Sequence, residues 1–165
     1  MKFDKIIDTY NNIAYFLLQD EEIKKLLYYD SSDALSLQTP SLTIAEWFDK
    51  GYISNYLPVD VDTKNIDTNT QMVLILDRIN FSDLDSICYC NIIILTDREH
   101  VQLLEHKNRL LEITNRIATK LDKHKFQSSG EVEVTGISHC SIGKHRIGYD
   151  IRVKFTSQSS RKVEI

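Results

Sequence analysis

The stretch Ile147-Gly148-Tyr149-Asp150-Ile151-Arg152-Val153-Lys154-Phe155 decides the fold class. Ile147, Tyr149, Ile151, Val153 and Phe155 alternate with Gly148, Asp150, Arg152 and Lys154. Successive side chains of an extended chain point to opposite faces, so this pattern predicts a strand with one face in a core and one outside. Upstream, Val132 and Val134 alternate with Glu131 and Glu133 in the same way, and Ser141-Ile142-Gly143-Lys144-His145-Arg146 reads as the hairpin loop before the stretch. The polar run Ser157 to Ile165 is left as a flexible tail that the core does not need.

Moving further upstream, Glu99 to Lys123 reads as one long amphipathic helix, with Leu103, Leu104, Leu110, Leu111, Ile113, Ile117 and Leu121 as its apolar stripe. Two more strands precede it. Gln71 to Ile79 contains Met72-Val73-Leu74-Ile75-Leu76, and Ser86 to Thr96 contains Ile92-Ile93-Ile94-Leu95. The short connector Asn80 to Asp85 predicts that they pair antiparallel, and their near-continuous apolar runs predict burial on both faces for part of their length. Tyr52 to Thr70 shows no sustained period and reads as a long surface segment.

The N-terminal third is helical by the same reasoning. Phe3, Ile6, Ile7, Tyr10, Ile13, Ala14, Leu17 and Leu18 recur at helical spacing. Asp20 caps a second, short helix carrying Ile23, Leu26 and Leu27, and Thr43 with Glu46 forms the capping box of a third that Gly51 ends. The expected fold is α+β: N-terminal helices, then a ββαββ unit forming a four-stranded, mainly antiparallel sheet packed on the long helix. Residues 1–156 form a single domain in this reading, and 157–165 a tail.

A chain of 165 residues with 42% hydrophobic residues can bury a core without disulfides. Three cysteines, Cys88, Cys90 and Cys140, do not make a secreted disulfide scaffold. Met1-Lys2-Phe3-Asp4-Lys5 lacks the apolar run of a secretion signal, and no apolar stretch approaches the ~20 residues of a membrane span. The expectation is a soluble protein made in a cytoplasm, without a membrane partner. Charge is uneven: residues 1–100 hold 8 Lys/Arg against 17 Asp/Glu, and residues 101–165 hold 12 against 7. This fits a basic surface for nucleic acid, two faces of opposite sign that pack copies head to tail, or charges scattered over a solvated surface.

No motif for chemistry stands out. The five glycines are too scattered for a phosphate loop. Cys88 and Cys90 share one face of a strand, but adjacent His139 and Cys140 point to opposite faces, so at most one could join them at a metal. His124, His139 or His145 could each serve Cys140 as a base, without a supporting motif. Asp60 with Asp62, and Asp83 with Asp85, lack calcium-loop spacing and fit turns. Lys120, Lys123, Lys125, Lys144, His145, Arg146, Arg152 and Lys154 could follow a nucleic acid, yet Tyr149 and Phe155 share their face with core residues rather than forming a base-stacking platform. The expected protein is not an enzyme, with no catalytic residue, metal ligand or cofactor. Trp47, Phe48, Tyr52 and Tyr56 fit either a protein interface or a small satellite core.

The arrangement as a whole resembles the phage head-tail completion family, which includes tail terminators and neck rings. The likeness covers Phe3 to Phe155 and rests on Gln19-Asp20-Glu21-Glu22-Ile23-Lys24-Lys25-Leu26-Leu27, on Asn55-Tyr56-Leu57-Pro58 before the first strand, and on the helix between two hairpins. It implies a structural virion protein: a cyclic homo-oligomer of about six or twelve copies, joining portal and tail or ending the tail, with DNA passing non-specifically through its lumen. Its partners would be the portal or adjacent neck and tail proteins. Trp47, Tyr52, Tyr56, Lys144, His145, Arg146, Arg161 and Lys162 are the candidate subunit-interface residues. The alternative is a small non-enzymatic interaction module, such as a host-factor inhibitor or a regulatory domain; a third reading is a small enzyme with a pocket joining His139 or His145 to Asp150.

Overall fold

The computed structural model describes residues 2–57, 70–81, 85–127 and 129–158. Helix α1 (Lys2–Leu17) buries Ile6, Ile13, Ala14 and Leu17, and α2 (Glu21–Tyr28) buries Ile23, Leu26 and Leu27. Both expected caps form. The Asp20 carboxylate accepts from the amides of Glu22 and Ile23 at 3.0 and 3.1 Å, satisfying donors that the helix start leaves free. In α3 (Ile44–Asp49), Thr43 Oγ1 accepts from the Glu46 amide, and the Glu46 carboxylate accepts from the Thr43 amide at 2.7 Å. Gly51, at φ 77°, turns the chain out of this helix in a conformation that an L side chain resists.

The sheet has five strands in the order β1-β2-β3-β5-β4, not four: β1 (Ile53–Ser54), β2 (Thr70–Phe81), β3 (Asp85–Asp97), β4 (Glu133–Ile142) and β5 (Arg146–Gln158). The extra strand is two residues long and runs parallel to β2, with Ile53 opposite Met72 and Ser54 opposite Val73. It makes the sheet mixed, and it comes from the segment expected to be irregular. All other pairings are antiparallel, and β2, β3, β4 and β5 follow the expected ββαββ chain order. β5 continues through Gln158, so Ser157 and Gln158 belong to the strand, while 159–165 lie outside the described residues.

The expected long helix is broken. Only α4 (Arg109–Leu121) is α-helical; Arg98–His100 and Leu104–His106 form short turns, with Glu105 and His106 both at φ 60°. Leu103 is buried but Leu104 is 56% exposed, so their helical spacing is coincidental. The reason for the break is tertiary. Arg109, with no exposed surface, donates to the carbonyls of Leu26, Tyr29, Ser31 and His100. Its fork thereby caps the C-terminal end of α2, and Asn108 caps the restarted helix by accepting from the Leu111 amide.

One sheet face carries Met72, Leu74, Cys88, Cys90, Ile92, Ile94, Ile151, Val153 and Phe155, packed with the apolar stripes of α1, α2 and α4 into the main core. The other face carries a smaller cluster of Val73, Ile93 and Leu95, with Ile75, Cys140 and Ile142 at its margin. Burial on both faces is thus realised in the first half of β2 and the second half of β3. At Gly148 a Cβ would overlap the carbonyl oxygen of Ile94, so the pattern's small member is sterically required.

Candidate subunit interface

The register places two separate groups of expected interface residues at one end of the sheet. β1 enters beside the start of β2, whose Thr70 lies opposite Thr96, while the turn between β4 and β5 returns beside Asp97 through Arg146. A polar relay joins them on the face opposite the helices. Arg146 Nη1 donates to Gln71 Oε1 at 3.2 Å, Gln71 Nε2 donates to Ser54 Oγ at 3.3 Å, and Ser54 Oγ donates to the Tyr56 carbonyl at 2.9 Å. Arg146 Nε also lies 3.6 Å from Asp97 Oδ1.

Three expected residues are exposed, one after β1 and two in the turn between β4 and β5. Tyr56 is 70% exposed and followed by exposed Leu57, and Lys144 and His145 are exposed in the hairpin turn. The turn is fixed by Gly143 at φ 61° and by the Arg98 amide, which donates to the His145 carbonyl at 3.1 Å. Arg146 is different: only 4% exposed, it holds the surface from beneath and offers no area for a partner. Trp47 is likewise 1% exposed, packed against Tyr52 and Tyr28 at ring separations of 5.2 and 6.4 Å. These aromatics, with Tyr29, join the main core, neither an open patch nor a separate satellite, and Tyr52 is half-buried against it, its phenol pKa raised first by burial. Arg161 and Lys162, and also Asp60, Asp62 and Asp83, lie outside the described residues.

The chemical alternatives are separated by the pleat. Cys88 and Cys90 do share a face, but it is the core face; burial pushes the Cys88 thiol up to about 12 and raises Cys90 as well. Cys140 lies on the opposite face, and its thiol is raised by burial and then by Asp150. His139 pairs with Tyr149 and Asp150 with Ser138, so the His139 and Asp150 side chains leave the sheet on opposite faces. His139 instead packs edge-on against Tyr149 at 5.7 Å. Among the described residues no three His, Cys, Asp or Glu side chains gather as a metal site, and no helix is long and apolar enough to cross a membrane.

The basic C-terminal part is less of a free field than the sequence suggests. Arg109 and Arg146 are buried, Arg116 bridges Asp20 and Glu22, and Lys125 and Lys154 pair with Glu131 and Glu133. Lys120 lies over the Phe16 ring at 4.6 Å. Sequence reasoning missed Gln71 and Ser54, which carry the relay. Their signal was weak: two uncharged polar residues beside apolar runs. No protein-family model matches the chain, and no curated protein matches it.

Proposed function

We propose that this protein is a non-enzymatic structural subunit of a tailed-phage virion, forming a ring in the neck or at the tail terminus and joining portal to tail. The observation that carries the reading is two exposed, sequence-distant segments, Tyr56-Leu57 and Lys144-His145, linked to each other through Ser54, Gln71 and Arg146. Tyrosine is among the residue types enriched in protein-docking surfaces. The ββαββ order behind N-terminal helices, on which the family likeness rests, supports the same reading. In this proposal copies contact one another around one axis, the composite surface meets the adjacent neck or tail layer, and DNA passes through the lumen without base recognition.

Light scattering across concentration and salt, followed by negative-stain imaging, tests it. A closed species of about six copies or more is the expected result. A chain that stays monomeric and still captures no purified portal or tail protein would sink the proposal. A monomer that binds a regulatory host protein through Tyr56 and Lys144 would establish the interaction-module reading instead.

A further inference from the structure

We infer that the outer edge of β4 pairs with the open half of the β2 edge in a second copy of this chain, head to tail. The inference rests on the ring reading and gives it a contact. β4 ends the strand order, so ten residues, Glu133 to Ile142, present one side of their backbone to no described strand. Edge strands are ordinarily blunted by lysine, proline, bulges or a covering group. β4 contains no lysine or proline; its bulge at Val134/Gly136 and the Asp122 carboxylate on the Val134 amide lie at its start and leave Ile137 to Ile142 as the open run.

At the other end of the sheet, β1 covers β2 only at Met72 and Val73, and Tyr10 OH donates to the Leu74 carbonyl at 2.7 Å. From Leu76 to Phe81 no described strand lies outside β2. Strand direction favours joining these two edges. β2 is antiparallel to β3, β3 to β5 and β5 to β4, so β4 runs opposite to β2. A neighbour displaced sideways in the plane of the sheet therefore continues the antiparallel alternation and keeps its helices on the same side.

Side chains at the two edges match. On the helix-bearing face each edge exposes one large apolar residue, Ile137 at 46% and Phe81 at 63%. On the opposite face the exposed guanidinium of Arg152, from β5, lies against Gly136 at the β4 edge, while the bulge in β2 carries the exposed Asp77 carboxylate beside Arg78, whose guanidinium is held 4.6 Å over the Tyr89 ring. Unlike charges at unlike edges favour head-to-tail pairing over pairing of β4 with its own copy.

The experiment compares the full chain with Ile137→Lys and Phe81→Lys by light scattering, each alone and the two mixed one to one. The wild type should show a multi-copy mass. Each variant alone should fall to the mass of one chain, 19.2 kDa, and the mixture should give a species of two chains, because each variant supplies the edge that the other lacks. Both positions are exposed, so circular dichroism should show wild-type folding; Ser138→Lys and Asn80→Lys serve as a second pair if it does not. Variants that keep the wild-type mass overturn the edge contact and leave the ring standing. Loss of assembly in Ile137→Lys alone overturns it too, since β4 would then pair with itself. A wild-type chain that is monomeric at every concentration overturns the contact, and it removes the ring as well when the chain also captures no purified portal or tail protein.

Discussion

The buried guanidinium of Arg146 donates to the side-chain oxygen of Gln71 across 3.2 Å, tying the start of β5 to the start of β2 although β3 lies between them. Both side chains sit nearly out of water, Gln71 at 5% and Arg146 at 4% exposure. Replacing Gln71 by alanine leaves a buried cation short of an acceptor and frees Ser54, an imbalance that costs about 1–3 kcal/mol. Urea unfolding of Gln71→Ala should show that loss. A Gln71→Glu variant, which keeps the acceptor, should recover most of it, and equal losses in both variants would refute the relay's role.

Arg109 makes a sharper prediction. Four backbone carbonyls depend on one guanidinium, from Leu26 and Tyr29 at the end of α2 to Ser31 and His100 beyond it. Burial lowers its pKa and the nearby Asp30 raises it. Lysine has a point charge where this site requires a planar fork. Arg109→Lys should therefore destabilise by about 2–3 kcal/mol, and Arg109→Leu by about 3–5 kcal/mol, the range for breaking a buried charged network. Amide exchange should accelerate first at the C-terminal end of α2; uniform acceleration would mean that the residue acts only through global stability.

These two arginines mark the boundary of what the sequence discloses. The alternation from Ile147 to Phe155 and the caps at Asp20 and Thr43 are local, so period and spacing reveal them before any fold is known. Arg146 reads as a loop charge because it follows Gly143-Lys144-His145, and only Gln71 and Asp97, brought in by strand pairing, draw it inside. Arg109 hides in the same way within an apparently continuous helical stripe. β1 is too short for any period to show. Trp47 reads equally as interface or core, and Tyr28, from a helix distant in sequence, decides for core. Of the candidate surface, Tyr56, Lys144 and His145 were legible as residue types, but the relay that links their segments follows only from strand pairing.

The core thiols should make stability fall in alkali. The Cys88 thiol moves from 9.0 to about 12 by burial, Cys90 is raised by burial and by its neighbour Cys88, and Tyr10 rises to about 12 by burial next to both. An unfolded thiol ionises near its ordinary value while the folded one keeps its proton. The unfolded state therefore binds fewer protons between about pH 9 and pH 12, and stability declines through that window. Urea midpoints measured from about pH 8 upward should drop, and the decline should be shallower in the Cys88→Ala/Cys90→Ala double variant. An equal decline in both proteins would assign the effect elsewhere. In the native state at about pH 8 a thiol reagent should modify Cys140, the half-buried cysteine, and reach the other two only on unfolding.

The composite surface predicts a separation between assembly within a layer and contact between layers. Lys144 lies in the turn between β4 and β5 and Tyr56 in the bend after β1, outside the runs of β4 and β2 proposed to pair. Tyr56→Ala removes an aromatic from the proposed docking surface, and Lys144→Glu reverses a charge that no described acid neutralises within the chain. Both side chains are exposed, so the double variant should keep the wild-type melting temperature and oligomeric mass. Its affinity for a purified portal or tail layer should fall at least about tenfold, as expected when a central aromatic is truncated. The fall should be steeper at low salt, where the reversed lysine repels an acidic partner most strongly. Undiminished binding would move the docking surface away from these two segments, whereas loss of oligomeric mass would place Tyr56 and Lys144 between copies within a ring instead of between rings.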